Sequence, residues 1–163
     1  MEERNAWLAT LPMLMMDHTA LCDAMCHVLG NTCRIARTAK SYEWNAQGRG
    51  AILAQTCFRD QADELHAALE PIAQSILGLG APAILDYSDT VVAITPPTAA
   101  DVPTLERMIE NLSEGQIEAR HSIGAAIDLA TQIDEQCMVH LLSERIAAHR
   151  SHHRGLMLLA AEL

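Results

Sequence analysis

Eight His, eight Met and five Cys stand among 163 residues, a high count of the nitrogen and sulfur donors that hold soft and borderline metal ions. His18, Cys22 and Cys26 recur at one-turn helical spacing. They share a face that could offer mixed ligands to Cu(I) or Zn(II). The alternative is that Cys22, Met25, Cys26 and Cys33 fill irregular core space, as small or adaptable apolar side chains do; both readings stay open. Gln55, Arg59, Asp63, His66, Glu70 and Gln74 put six polar side chains on one face of a second helical stretch. Glu110, Glu114 and Glu118 form a ladder ahead of His121. The resulting Glu118-x-x-His121 has the spacing that builds diiron sites inside helix bundles, with Asp63-x-x-His66 as a weaker analogue. Alone, such a ladder also makes an ordinary solvated face. His149, His152 and His153 lie near the C-terminus among Arg150 and Arg154. There is no Gly-rich phosphate loop, no zinc-type pair of Cys motifs and no Ser/His/Asp pattern.

The elements that must position these residues read as helices. Half the residues are hydrophobic but only 3% are aromatic, so Ala, Leu, Ile and Met carry the apolar content and favour helix over sheet. Pro12 suits a first helical turn, and apolar residues recur at helical spacing from there to Tyr42, predicting a helix over 12–42 after an arm over 1–11. Gly48-Arg49-Gly50 breaks the pattern, and a second helix is predicted over 49–78, stopping at Gly78-Leu79-Gly80, with a kink near Ala67 from Pro71. The segment 79–100 holds Pro82, Pro96 and Pro97 and reads as a crossover carrying a short helix between Ile84 and Ile94. A third helix is predicted over 101–131, with Asp101 as its N-cap, and a fourth over 133–161. Two long hairpins joined by one long connection make a single all-α domain over 1–163, the ferritin-like four-helix bundle.

Tyr42-Glu43-Trp44-Asn45-Ala46-Gln47-Gly48 resembles the segment joining the first two helices of the Dps miniferritins. Asp134-Glu135, Leu141-Leu142-Ser143-Glu144-Arg145, His149 and Met157-Leu158 resemble that family's last helix. The resemblance implies a dodecameric, cytoplasmic cage that stores iron, limits oxidative stress and oxidises Fe(II) at a ferroxidase site shared between two subunits. The five positions of that site carry over to Glu43, Gln55, Arg59, Glu70 and Gln74, none with the family's usual residue, so whether the chain is a ferroxidase stays open. Glu43 and Glu70 keep oxygen donors. Two arrangements follow: an ion-pair cluster of Arg59 with Glu43 and Glu70 in place of the metals, or a rearranged metal site of Glu43, Glu70, Asp63 and His66. The resemblance also places Asp134 and Glu135 near an acidic pore that would concentrate cations. Iron is the implied metal. A copper- or zinc-binding, non-catalytic cage of the same fold is the alternative.

Charge narrows the partners. Acidic residues outnumber basic ones 21 to 11, for a formal net charge of −10, and Lys40 is the single lysine. Nucleic-acid binding needs clustered positive charge, so none is expected. No run is long enough to span a membrane, and the acidic start, Glu2-Glu3, is unlike a secretory signal. Five Cys, an odd number, fit reduced thiols in the cytoplasm better than a disulfide framework.

Overall fold

The described residues form four α-helices, α1 (Glu2–Asn45), α2 (Ala51–Gly78), α3 (Leu105–Gln132) and α4 (Gln136–Glu162), with a 3-10 turn at Ala99–Asp101 before α3. The computed structural model describes the backbone of residues 2–85 and 98–163, and side chains from residue 18 onward. The crossover helix expected between Ile84 and Ile94 lies almost wholly outside these residues. No strand occurs among the described residues, in keeping with a composition poor in aromatics, and none of their helices is long and apolar enough to cross a membrane.

Three boundaries differ from the sequence expectations for physical reasons. Residues 2–11, expected as an arm, are already helical; Glu, Arg, Ala and Leu dominate that stretch and are all good helix formers. The third helix starts at Leu105, not near 101, and its N-cap is Thr104, whose hydroxyl accepts from the Arg107 amide at 3.3 Å. Pro103 holds Val102 in an extended conformation, φ −77° and ψ 121°, which ends the 3-10 turn and delays the helix. Asp101 instead closes that turn: its carboxylate accepts from the Thr98 amide at 2.7 Å and the Thr98 hydroxyl at 2.9 Å. The fourth helix starts at Gln136 because Asp134 adopts a left-handed φ of 61° in the preceding turn, a conformation that Asp tolerates better than most residues. α2 runs on through Pro71. Pro71 cannot donate to the carbonyl of Ala67, but both residues are exposed, so that carbonyl faces water.

Round the bundle, α1 packs on α2 and α3, and α4 packs on α3 and α2. The core divides into two apolar clusters. One gathers Ile35, Phe58, Leu65, Met108, Leu112 and Leu156; the other gathers Leu21, Met25, Leu29, Ile72, Ile123 and Leu142. Each helix also contributes polar residues to the interior, among them the buried Thr32, Gln61, Gln116, Arg145 and His149. At the first end, Leu163 folds back over the α1–α2 turn, where Gly50 has φ +79° and a Cβ would lie 2.1 Å from the Leu163 Cδ2.

Gly50→Ala therefore incurs both a backbone and a steric penalty. It is expected to lower unfolding free energy by about 1–2 kcal/mol in urea titration. Adding Leu163→Ala should recover the steric part but not the left-handed strain; a neutral Gly50→Ala would contradict this account.

Candidate functional site

Two polar constellations stand out, one on the outer groove between α1 and α2 and one inside the bundle. In the outer groove, Glu43 projects from the last turns of α1 with only 10% of its side chain exposed. Its Oε1 accepts from Arg59 Nε at 2.7 Å, and its Oε2 lies 2.7 Å from Lys40 Nζ. Lys40 also reaches toward Asp63, 3.8 Å away. The hydrogen bonds from Lys40 and Arg59 hold the Glu43 carboxyl below its usual range, and the same carboxylate raises both cations. Gln55 donates its amide to the Ala46 carbonyl at 3.0 Å, so it ties down the α1–α2 turn. Glu70 accepts from Gln74, one turn on, at 2.7 Å. The structure thus brings Glu43, Arg59, Lys40 and Asp63 together, and leaves Glu70 paired with Gln74 further along α2. His66 is exposed on the same helix.

Among the described residues no group of three or more His, Cys, Asp or Glu lies close enough to hold a metal ion. His18 and Cys26 are exposed and Cys22 is half-buried. Asp134 accepts from the Gln136 side chain at 2.8 Å and is exposed, beside the half-buried Glu135. The ladder of Glu110, Glu114, Glu118 and His121 faces solvent. Two of its members pair with surface arginines, Glu110 with Arg107 at 3.0 Å and Glu118 with Arg34 at 2.7 Å. Glu118-x-x-His121 is therefore a solvated face.

The inner constellation was not evident from sequence spacing. His149 is completely buried, and its Nδ1 lies 2.5 Å from Gln116 Oε1; Gln116 Nε2 donates to Gln61 Oε1 at 3.0 Å, and Gln61 Nε2 donates to Cys57 Sγ at 3.3 Å. This relay crosses the bundle from α4 through α3 to α2. The amide orientations make His149 Nδ1 the protonated nitrogen and leave Nε2 a buried lone pair without a hydrogen-bond partner. Beside it, Arg145 holds Glu64 in a two-pronged pair at 2.5 and 2.9 Å, and His152 Nε2 meets the same carboxylate at 2.9 Å. His152 is thus drawn inward by Glu64, with 15% of its side chain exposed. Burial, reinforced by the Arg145 charge, pushes His149 down to about 4. For Glu64, burial acts upward, but the His152 and Arg145 hydrogen bonds prevail and lower it to about 2. Gln61 and Gln116 carry no motif, and their partners lie on other helices, so only a helical-wheel search for polar residues on core faces could have found them.

This fold and arrangement define a ferritin-like protein. The Ferritin family, described as a ferritin-like domain, matches residues 22–161, and the chain belongs to that family. Its fold is also that of solved Dps structures. Dps from Thermosynechococcus elongatus superposes with a TM-score of 0.80 at 18% identity, over 91% of this chain and 94% of that one. The Dps protein of Vibrio cholerae O1, described as a member of a superfamily of ferritin-like diiron-carboxylate proteins, gives 0.73 at 21% over 90% of each chain. The dodecameric thioferritin of Bacteroides fragilis gives 0.77 at 14%, over 94% of this chain and 93% of that one. No curated protein matches the sequence.

Two outcomes follow from the inner constellation. Gln116→Leu would leave His149 Nδ1–H and Gln61 Oε1 unpaired in the core, and is expected to cost about 2–4 kcal/mol of unfolding free energy, since each buried orphan costs about 1–3. The pH dependence has a definite sign. Between about pH 6.5 and 4 the unfolded His149 binds more protons than the folded one, and between 4.5 and 2 the same holds for Glu64. Stability should therefore decline continuously as pH falls from 6.5 to 2. His149→Phe should flatten the upper half of that slope in thermal melts while leaving the lower half.

Proposed function

We propose that the chain is the subunit of a Dps-like, homo-oligomeric iron-binding and storage cage that limits oxidative stress, and that its intersubunit ferroxidase position is filled by protein charges. The ion pair between Arg59 and Glu43 carries this reading. Of the five positions that the family resemblance assigns to the site, Glu43 is held by two cations, Arg59 is itself a cation, and the amides of Gln55 and Gln74 are engaged within the chain. A guanidinium beside a carboxylate repels a divalent cation and satisfies the oxygen that would have bound it. These residues do not fit a two-iron centre, so no oxidation step is assigned to them. Iron is cargo in this reading, attracted by an acidic shell with a net charge of −10.

Assembly is supported by large apolar side chains left uncovered in the isolated chain. Trp44 and Ile52 are 71% and 83% exposed, beside the outer groove in sequence, and Leu158 is also exposed. Such residues favour burial against further copies. The Bacteroides fragilis structure, described as dodecameric, has the same fold, and a dodecamer in the cytoplasm is the assembly proposed here. With one lysine and an acidic excess, the cage is proposed not to bind DNA directly.

The test is anaerobic Fe(II) loading of the full-length assembly, then peroxide addition, with ferric-oxo absorbance followed in time. The expected result is bound iron but oxidation within about threefold of buffer, a difference under 1 kcal/mol in barrier. Restoring the family's ligands with Glu43→His, Gln55→His, Arg59→Asp, Glu70→Asp and Gln74→Glu together should raise the rate by at least about 100-fold, the scale of an activated metal site. Rapid oxidation by the unmodified protein would overturn the reading, as would a failure to retain iron.

A further inference from the structure

Cysteine is among the residue types most often buried, yet of the five here only Cys33 is buried. Cys57 is engaged as acceptor for Gln61, and Cys137 stands exposed at the start of α4. Cys22 and Cys26 differ from these because they occur as a pair. They lie one turn apart on α1, Cys22 half-buried and Cys26 exposed, each following a fully buried residue, Leu21 and Met25. Leu21 and Met25 anchor that turn in the core, so the two thiols stand on a rigid helical frame at the edge of the solvent face.

Residues four apart on a helix have Cβ atoms about 5–6 Å apart, and helical side chains lean toward the N-terminus, which carries the Cys26 thiol over the turn of Cys22. Metal–thiolate bonds of about 2.3 Å on opposite sides of one ion need sulfur atoms about 4.6 Å apart. Cβ atoms one turn apart on a helix allow two thiols to reach that span. His18 cannot complete the set, because it is eight residues from Cys26, about 12 Å along the axis; the sequence-level trio of His18, Cys22 and Cys26 reduces to a dithiol. A two-coordinate ion of soft character is therefore the fitting ligand, whereas Zn(II) asks for four donors.

We infer that Cys22 and Cys26 form a two-thiolate site for a monovalent thiophilic cation, Cu(I) by preference. Binding one Cu(I) forms two Cu–S bonds and releases two thiol protons, with no change in oxidation state. Because both thiols must lose a proton to bind the metal, affinity rises with pH. This site is independent of the iron reading, since it uses neither the outer groove nor the inner relay.

The experiment is a competition titration of the reduced, full-length protein under anaerobic conditions, with Cu(I) delivered from a coloured bicinchoninate complex. One Cu(I) per chain should resist the competitor. Cys22→Ser and Cys26→Ser should each weaken it by more than the roughly 10- to 100-fold that changes around a metal's outer shell cost, while His18→Ala and Cys137→Ser leave it unchanged. A second measurement needs no variant: Cu(I) should protect Cys22 and Cys26 of the unmodified protein from iodoacetamide and leave Cys137 reactive. Copper held equally by the Cys22→Ser/Cys26→Ser double variant, or protection no greater at the pair than at Cys137, would overturn the inference.

Discussion

The contact on which the bundle's register rests is the pair of hydrogen bonds that Gln116 makes across the core, to His149 on α4 and to Gln61 on α2. The apolar side chains around it are held by burial, which is roughly proportional to area and indifferent to direction. Helices with such faces could slide by a turn and still bury most of their side chains. The polar layer removes that freedom. A one-turn shift of α3 would take Gln116 away from both partners and leave three buried polar groups unsatisfied, each at a cost comparable to a sizeable share of a domain's net stability. Arg145 and Glu64 reinforce the same level, because a planar guanidinium meets a carboxylate with two prongs only at one height.

The same chemistry recurs on the outer groove with a different consequence. Glu64 and Glu43 are both carboxylates held by an arginine and a second cationic or imidazole partner. Inside the bundle this arrangement orders helices. In the outer groove it occupies the oxygen atoms that would otherwise be open to a metal, and it does so with side chains that remain in contact with water, so it stabilises the fold little. Its effect is on what else can bind there. A carboxylate already shared by Lys40 and Arg59 is a poor ligand for a divalent ion, whatever the acidic charge of the whole chain.

How far the sequence disclosed this depends on the range of the interaction. Helix number, order and type were legible, because they rest on apolar periodicity and on local breaks such as Gly48, Gly50, Gly78 and Gly80. The start of α3 was misplaced by a local competition: Asp101 and Thr104 are both good caps, and only the extended backbone that Pro103 imposes on Val102 decides between them. The outer positions were found through the family resemblance, and the one-face spacing of Arg59 and Asp63 is visible in the sequence. The pairing of Lys40 with Glu43 is local, three residues apart on α1, and went unread although that spacing makes helical neighbours; only the approach of Lys40 to Asp63 crosses between helices. The inner relay was invisible for a stronger reason. Gln61, Gln116 and His149 come from three helices, and glutamine signals neither metal nor catalysis in a linear reading. Glu118-x-x-His121 is the converse case: its spacing is formally that of a diiron motif, but its exposed position fits the ordinary solvated face that the sequence also allowed.

The soft donors that dominate the composition separate in the same way. Met25, Met108 and Met138 are buried and are explained by packing; methionine's flexible thioether fills irregular core space without any metal. His149 is buried and its Nδ1 belongs to the relay. Packing does not account for the surface thiols, because an exposed Cys adds neither core volume nor charge. Cys137 is solitary, but Cys22 and Cys26 are fixed at one-turn spacing by a helix whose Leu21 and Met25, just before them, are wholly buried. Rigidity of that kind lowers the entropic cost of bringing two ligands onto one ion. It is the physical difference between a pair of cysteines in a sequence and a pair of ligands in a protein.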